Sequence, residues 1–549
     1  MRSAKIKLSV ETHPAGRPQA WSNPVIPGDH PDPTILRVGD TFWASATSSE
    51  WSPQFPLFRS DDLVNWVLAG SIFPTQPAWA EGSFWAPELV HDEVTDRFLL
   101  WYVGKKRGGP LCIAVATAPG PGGPYTDHGA IVCDEDGSID PCFARDEHGS
   151  PYLIWKEDGN AVGKPTPIWA QSLSADLLHL TGERTQLITN DQPWEEGVVE
   201  GPYILRHDGR FYLFYAGNSC CGKECKYAEG VARADRLLGP WEKFPGNPFI
   251  GANDRWRCPG HGTAVRTGSH GQPSQDYFLY HAYPAEGTVF VGREAVLDEI
   301  TWTDTDPDGK GGWPVVNSGQ GPGAPARTQA IEFVDAFEAP DLGPSWQWPV
   351  NTLPAVGVGD GALTLAVPRE SPLAAAEVES AIVAIPNPAG ERYRASVFLD
   401  VPGVPDPALW AGLAVIGDPF NTIGLGVRGD DPAVRGDDPA VRGDDPAVRG
   451  DDPAGGSSLT LWQRRGATQD VLWKRNLPPM ASVAVEAKSL PEGHIQFSFS
   501  LDGHHWQKAG EPYDASDLPA WDRALRLGFL LEGPRGSSAR FRRFKLRTR

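Results

Sequence analysis

The chain has 549 residues, enough for two to four domains, and its 49 Lys and Arg against 70 Asp and Glu leave a net charge of −21. That acidic balance repels phosphate backbones and anionic membrane surfaces, so neither nucleic acid nor a membrane is an expected partner. With 61 Gly, 53 Pro and 2 Met, long helices cannot dominate, and many short strands joined by turns fit better.

Residues 1–20 read as an N-terminal extension. They carry basic residues but no apolar stretch of the kind a signal peptide needs, which predicts a cytoplasmic location unless the start is truncated. The 7 Cys are odd in number and contain no CxxC pair, so they read as mostly free thiols of a reducing compartment. No run approaches the roughly 18 apolar residues of a membrane span.

From residue 21 the chain becomes periodic. Five aromatic, β-prone runs recur: TFWASAT at Thr41, RFLLWYVG at Arg97, PYLIWKED at Pro151, RFYLFYAG at Arg210 and DYFLYHAY at Asp276. Their markers Phe42, Phe98, Tyr152, Tyr212 and Phe278 stand 56, 54, 60 and 66 residues apart. This spacing exceeds that of a solenoid repeat and suits a four-stranded propeller blade with its loops, so five copies predict five blades over residues 21–320. A polar Gly/Pro-rich stretch then predicts a linker over 321–330.

Beyond it, GALTLAVP, YRASVFLD, AGLAVIG, LTLWQRR, SVAVEAK, IQFSFSLD, LRLGFLL and ARFRRFKL alternate as strands with one buried face do. They predict a two-sheet β-sandwich of the jelly-roll, concanavalin-like kind over 331–549. Residues 427–454 inside it are four copies of VRGDDPA. A Pro in every copy and two small apolar residues per copy exclude a coiled coil, which leaves a solvated, disordered insertion between two strands. The fold class predicted is therefore all-β, a five-bladed β-propeller followed by a C-terminal β-sandwich.

Three acids sit beside Pro or Gly in the propeller segment: Asp32 in GDHPDP, Asp140 in GSIDPC and Glu200 in VVEGPY. Their separations of 108 and 60 residues approximate two blades and one, which predicts that they face one axis together. Glycoside hydrolysis needs one carboxylic acid to protonate the leaving oxygen and one carboxylate to activate water or attack carbon. A third acid nearby is expected to raise the first one's pKa by like-charge repulsion.

The ordered set NPVIPGDHPDPTILRVGD, FWAPEL, GSIDPC, VVEGPY and CPGHGTAV resembles glycoside hydrolase family 43, the β-xylosidases and α-L-arabinofuranosidases on five-bladed propellers, over residues 21 to about 320. FSFSLDGHHW and ARFRRFKL resemble the C-terminal domain of the family's two-domain β-xylosidases. The resemblance implies Asp32 as general base, Asp140 as the residue that tunes and orients the acid, and Glu200 as general acid of an inverting reaction. It further implies Trp85 beside the sugar pocket, Arg293 reaching the substrate hydroxyls and catalytic carboxylates, and Glu50 and Trp51 walling the terminal sugar subsite. His261 is implied at the propeller axis, where relatives hold a structural Ca²⁺; no cofactor is otherwise required.

The function so implied is exo-hydrolysis of terminal β-D-xylosyl and/or α-L-arabinofuranosyl residues of hemicellulose-derived oligosaccharides, with galactan or arabinan hydrolysis as variants. The contrasting class is a carbohydrate-binding protein that does not cleave. Three acids argue against it, since binding needs no pair of carboxylates with separated pKa values. The oligomeric state is not legible in the sequence.

Overall fold

The computed structural model describes residues 21–268, 274–286, 292–306, 309–323, 331–368, 380–386, 392–401, 408–429 and 456–548. The chain forms two compact units that divide at residues 327 and 328. Three of the four VRGDDPA copies and most of the first lie outside the described residues.

The first unit consists of five four-stranded antiparallel sheets in chain order. Their inner strands are Thr34–Val38, Ala80–Asp92, Ser138–Arg145, Val199–His207 and Trp256–Arg266. Each inner strand packs against that of the next blade, and the fifth packs against the first, which closes a five-bladed propeller. The stretch before blade one helps the closure: Ile26 bridges Ala295 of blade five, and the Trp21 indole donates to the Leu297 carbonyl.

All five aromatic runs become the second strand of their blade: Thr41–Ser45, Arg97–Lys106, Pro151–Glu157, Arg210–Gly217 and Asp276–Pro284. The reason is burial on both faces. In Arg210–Gly217 every residue is buried, and apolar side chains of blades three and four interdigitate around Ile154, Phe211 and Leu213. A strand covered on both sides reads as a continuous apolar run rather than an alternating one. Blade five also keeps hold of the chain slightly beyond the expected boundary, because the Asn253 amide and Trp256 indole donate to the carbonyls of Gln320, Pro322 and Gly323.

The cysteines correct the free-thiol expectation. Cys112 and Cys133 are disulfide-bonded, as are Cys220 with Cys221 and Cys225 with Cys258, and only Cys142 is free and buried. Strand pairing brings the distant partners together: Ile113 lies opposite Val132 in blade two, which sets their neighbours Cys112 and Cys133 side by side.

Among the described residues the second unit has two sheets, one of nine strands and one of six. All eight predicted segments are strands in them, including Tyr393–Asp400, Trp410–Asp418, Arg526–Glu532 and Ser538–Thr548. Phe529 of one sheet stacks on Phe541 of the other at 4.3 Å, with Trp346 and Phe544 alongside, so the core lies between the sheets. The strand Asn421–Gly429 pairs with Ser457–Arg465 and runs through the first three residues of the repeat, which therefore leaves and re-enters between hairpin partners.

Candidate active site

One backbone device recurs on the propeller's inner strands. Asp32, Ala86, Asp140, Gly201 and His261 all have left-handed φ, at 53°, 44°, 56°, 57° and 45°. In blades two to five the pairing register shifts across this position. Four of the five are followed by Pro, which lacks the N–H a regular ladder would need and is found in sheets at bulges and edges. A bulge re-aims side chains, and in blades two to five it turns one residue per blade out of the pleat, while Asp32 takes the same left-handed φ just before its strand. Non-glycine residues in this conformation cost of order 1–3 kcal/mol each and cluster at functional sites.

In blade one the Asp32 carboxylate, two residues before the inner strand, accepts hydrogen bonds from Thr47 Oγ1 at 2.7 Å and from the Arg293 guanidinium at 3.2 Å. The Asp32 backbone N–H donates to His281 Nδ1 at 3.1 Å, so that ring nitrogen is an acceptor. Burial first, then the nearby Arg293 and His261, hold His281 far below its usual pKa and therefore neutral. The hydroxyl of Thr47 in turn accepts the N–H of Ala86, which ties the Asp32 carboxylate to the residue following Trp85.

His261 Nδ1 lies 3.5 Å from Asp32 and 4.0 Å from Asp140, so one imidazole nitrogen faces both aspartates. Asp140 accepts the Gly201 N–H at 2.8 Å. Burial pushes its carboxyl up to about 6; the His261 charge opposes this, while the Glu200 and Asp32 charges add to it.

Glu200 departs from the like-charge expectation. Its burial raises the pKa, but Lys156, whose ammonium stands 2.7 Å from Oε2, and Tyr227, whose hydroxyl donates to Oε1 at 2.9 Å, outweigh burial and bring it below the ordinary glutamate value. Neither partner was foreseen. The signal was one cation inside the apolar strand PYLIWKED, where a solvent-facing Lys has no place. Gly201 is required beside Glu200: a Cβ there would come within 2.8 Å of the His261 ring, on a backbone of left-handed φ.

The structure thus brings Asp32, Asp140, Glu200, His261 and Arg293 together, while Trp85, next to Ala86 in the chain, packs partly buried against the cluster of Leu99, Trp101 and Val103. Glu50 spends a carboxylate oxygen on the Ser83 N–H at 2.8 Å, bracing the start of the strand that carries Trp85. Trp51 opens the short strand Trp51–Ser52 that follows Glu50. His261 does not fit a calcium site. Its Nδ1 faces the two aspartates, Ca²⁺ takes six to eight oxygen ligands, and no cluster of three or more metal-capable side chains gathers among the described residues.

The model of the family described as glycosyl hydrolases family 43 matches residues 21–307, the whole span that builds this site. The chain belongs to glycosyl hydrolase family 43. The chain is 28% identical over 318 residues to a xylosidase/arabinosidase of Butyrivibrio fibrisolvens, covering 55% of this chain and 57% of that one. It is 29% identical over 356 residues to a xylan 1,3-β-xylosidase of Vibrio, covering 60% and 61%. The chain thus spans less than two thirds of the length of these curated relatives. Two crystal structures superpose on 96% of this chain and 100% of their own: a xylan β-1,4-xylosidase from Bacillus halodurans, at 21% identity and TM-score 0.74, and the family 43 protein BlXynB from Bacillus licheniformis, at 21% and 0.75. At that identity they speak for the two-unit fold.

Proposed function

We propose that the chain is an inverting exo-glycosidase that releases terminal β-D-xylosyl and/or α-L-arabinofuranosyl residues from hemicellulose-derived oligosaccharides. The observation that carries this reading is the convergence of three buried carboxyl groups in three different environments. Asp32 is held by Arg293 and Thr47, Asp140 is pushed towards neutrality, and Glu200 lies between a cation and a phenol. The names of the relatives from Butyrivibrio and Vibrio support the pentose specificity.

In this reading Glu200 protonates the glycosidic oxygen while Asp32 removes a proton from a water that attacks the anomeric carbon from the opposite face. Arg293 and Thr47 fix Asp32 at the angle the water needs. Asp140 receives the Gly201 N–H and so orients the turn that carries Glu200. An inverting pair should stand roughly 6.5–9.5 Å apart, leaving room for that water. A structural Ca²⁺ is not part of the proposal, since the donor set around His261 does not suit it.

The test is a panel of aryl β-D-xyloside, α-L-arabinofuranoside, α-L-arabinopyranoside and β-D-galactoside, with proton NMR of the first-formed sugar. Cleavage of one of the first two with an inverted anomer supports the reading; a retained anomer, or no cleavage of either, overturns it. Against the cytoplasmic expectation, the disulfides favour an oxidising compartment, and we propose that location. Denatured, unreduced protein isolated from its natural source should then titrate a single thiol.

A further inference from the structure

A general acid must hold a proton before the reaction and release it during it. Both oxygens of Glu200 already accept hydrogen bonds, Oε1 from the Tyr227 hydroxyl and Oε2 from the Lys156 ammonium. A phenol can reverse its hydrogen bond and accept; an ammonium has three donors and no acceptor. The acid's proton is therefore best placed on Oε1, where Tyr227 can turn to accept it, while Oε2 goes on accepting from Lys156, more weakly once the carboxyl is neutral. A second anchor is available: Asp158 Oδ1 lies 2.8 Å from the same nitrogen. The Lys156 side chain is 1% exposed, so its charge is shared within this cluster rather than with bulk water. Strand pairing explains the reach, because Lys156 lies opposite Ile139, the residue before Asp140, and crosses from blade three to blade four.

We propose that Lys156 is a positioning residue that shares its ammonium between Asp158 and Glu200 and takes up the negative charge left on Glu200 as its proton passes to the leaving oxygen. The proposal rests on the reading of Glu200 as general acid. In that step the Glu200 O–H bond breaks and its proton goes to the glycosidic oxygen, which also receives the electron pair of the breaking C–O bond. Water bonds to the anomeric carbon and gives its proton to Asp32. Charge develops on Glu200 beside a cation already in place, so the interaction is stronger in the transition state than before it, which is the condition for acceleration. The same cation opposes loading of the acid, and Asp158 moderates this by drawing the ammonium away.

The groups facing Glu200 are Lys156 and Asp140 from blade three, Tyr227 from blade four and His261 from blade five. Those facing Lys156 are Glu200, Asp158 and Asp140. Removing Lys156 and removing Asp158 should thus act on Glu200 in opposite directions.

The experiment is the pH profile of kcat/KM for the full chain on a phenyl glycoside and a 2,4-dinitrophenyl glycoside of the preferred sugar. The basic limb reports the acid of the free enzyme, and the leaving groups report how much proton donation is needed. For Lys156→Met the basic limb should move up by about one pH unit or more. Its kcat/KM should fall by about 100-fold on the phenyl substrate and by less than about tenfold on the activated one. Lys156→Arg should return the limb most of the way. Asp158→Asn should move it down, since the ammonium is left to Glu200 alone. Equal losses on both substrates with an unmoved limb would mark a merely structural role and overturn the proposal, as would an Asp158→Asn limb that moves up or stays.

Should Lys156→Met fail to fold, the Asp158→Asn sign decides. Should turnover be too slow to profile, the Glu200 carboxyl followed by ¹³C NMR against Glu200→Gln must show the same signs. Glu200→Gln also separates the two readings. If it keeps phenyl-glycoside activity, the general-acid reading fails; if it loses that activity while the Lys156 variants leave the limb in place, only the present proposal fails.

Discussion

Blades two and three carry the same backbone turn and different chemistry. Ala86 and Asp140 both take left-handed φ, both precede a Pro, and both sit where the inner strand slips register against the second. In blade two the turn presents a methyl group, and its N–H serves Thr47, which serves Asp32. In blade three it presents a carboxyl group to His261. The turn therefore belongs to the propeller, which repeats it with a methyl group or a carboxyl group, and it is the side chain placed on it that the proposed reaction would use. Strain at these positions is shared by the fold and is not by itself a mark of catalysis.

The largest effects should come from the acids that the turns present or adjoin. Asp32→Asn should lose about 10³-fold or more in kcat on aryl glycosides with good and poor leaving groups alike, because both need an activated water. Glu200→Gln should lose as much on poor leaving groups and distinctly less on activated ones. Steady-state kinetics on the two substrate types checks the split. Identical losses for both variants on both substrates would erase the division of labour between the turn of blade one and that of blade four.

How much of this was legible follows from where the partners lie. The second strands announced themselves because burial on both faces made them aromatic and continuous, and the acids of HPDP, SIDP and VEGP fell at blade spacing. The recurrence of the turn in WAPEL is silent in the sequence because Ala86 places no charged side chain on it. Lys156 and Tyr227 stayed hidden because each meets Glu200 only through tertiary packing, from 44 and 27 residues away. In the sandwich, Thr468–Asn476 was missed because neighbouring Val471 and Leu472 both reach solvent, which spoils the alternation, and Asn421–Gly429 because glycines interrupt its apolar run. The disulfide partners could not be read without the register that pairs Ile113 with Val132.

The contrast between blades sharpens further at Gly201, the fourth blade's copy of the turn. Gly201→Ala adds a methyl 2.8 Å from the His261 ring on a left-handed backbone, so it should cost about 1–3 kcal/mol of stability. It should also disturb His261 and reduce kcat on poor leaving groups. Urea unfolding with kinetics on the refolded protein checks both. A variant as stable and active as the parent would mean that the turn tolerates a side chain in blade four as it does in blade two.

Glu88, two residues past the turn of blade two, gives a pH-dependent test. Burial pushes its carboxyl up to about 8, with only a partial offset from the Thr34 hydroxyl. Because the folded value lies above the ordinary 4.5, the unfolded chain gives up this proton first. The group's contribution to stability is present below about pH 4.5 and is lost as pH rises towards 8. Glu88→Gln should therefore be close to neutral at pH 4.5 and stabilising relative to the parent at pH 8, as read from denaturant midpoints at the two values. A variant equally destabilised at both would show that Glu88 stays ionised within the fold.

The smallest effect should come from Ala86→Gly, and its smallness is informative. Glycine adopts the left-handed turn without the Cβ penalty that Ala86 bears, a gain of about 1 kcal/mol. Against it stand the lost burial of one methyl group and the greater freedom of glycine in the unfolded chain, each worth roughly half to one kcal/mol. The terms nearly cancel, so stability should change by less than about 1 kcal/mol. Activity should stay within about twofold, because the N–H that Ala86 gives to Thr47 is a backbone group and survives the substitution. The matching change in blade three, Asp140→Gly, keeps the same backbone but removes the carboxyl that accepts the Gly201 N–H and faces His261. It should cost activity by at least about 100-fold. If Ala86→Gly also lost activity on that scale with its fold intact, the chain of hydrogen bonds from Ala86 through Thr47 to Asp32 would depend on the exact pose of the blade-two turn, and that turn would have to be counted with the reaction rather than with the propeller.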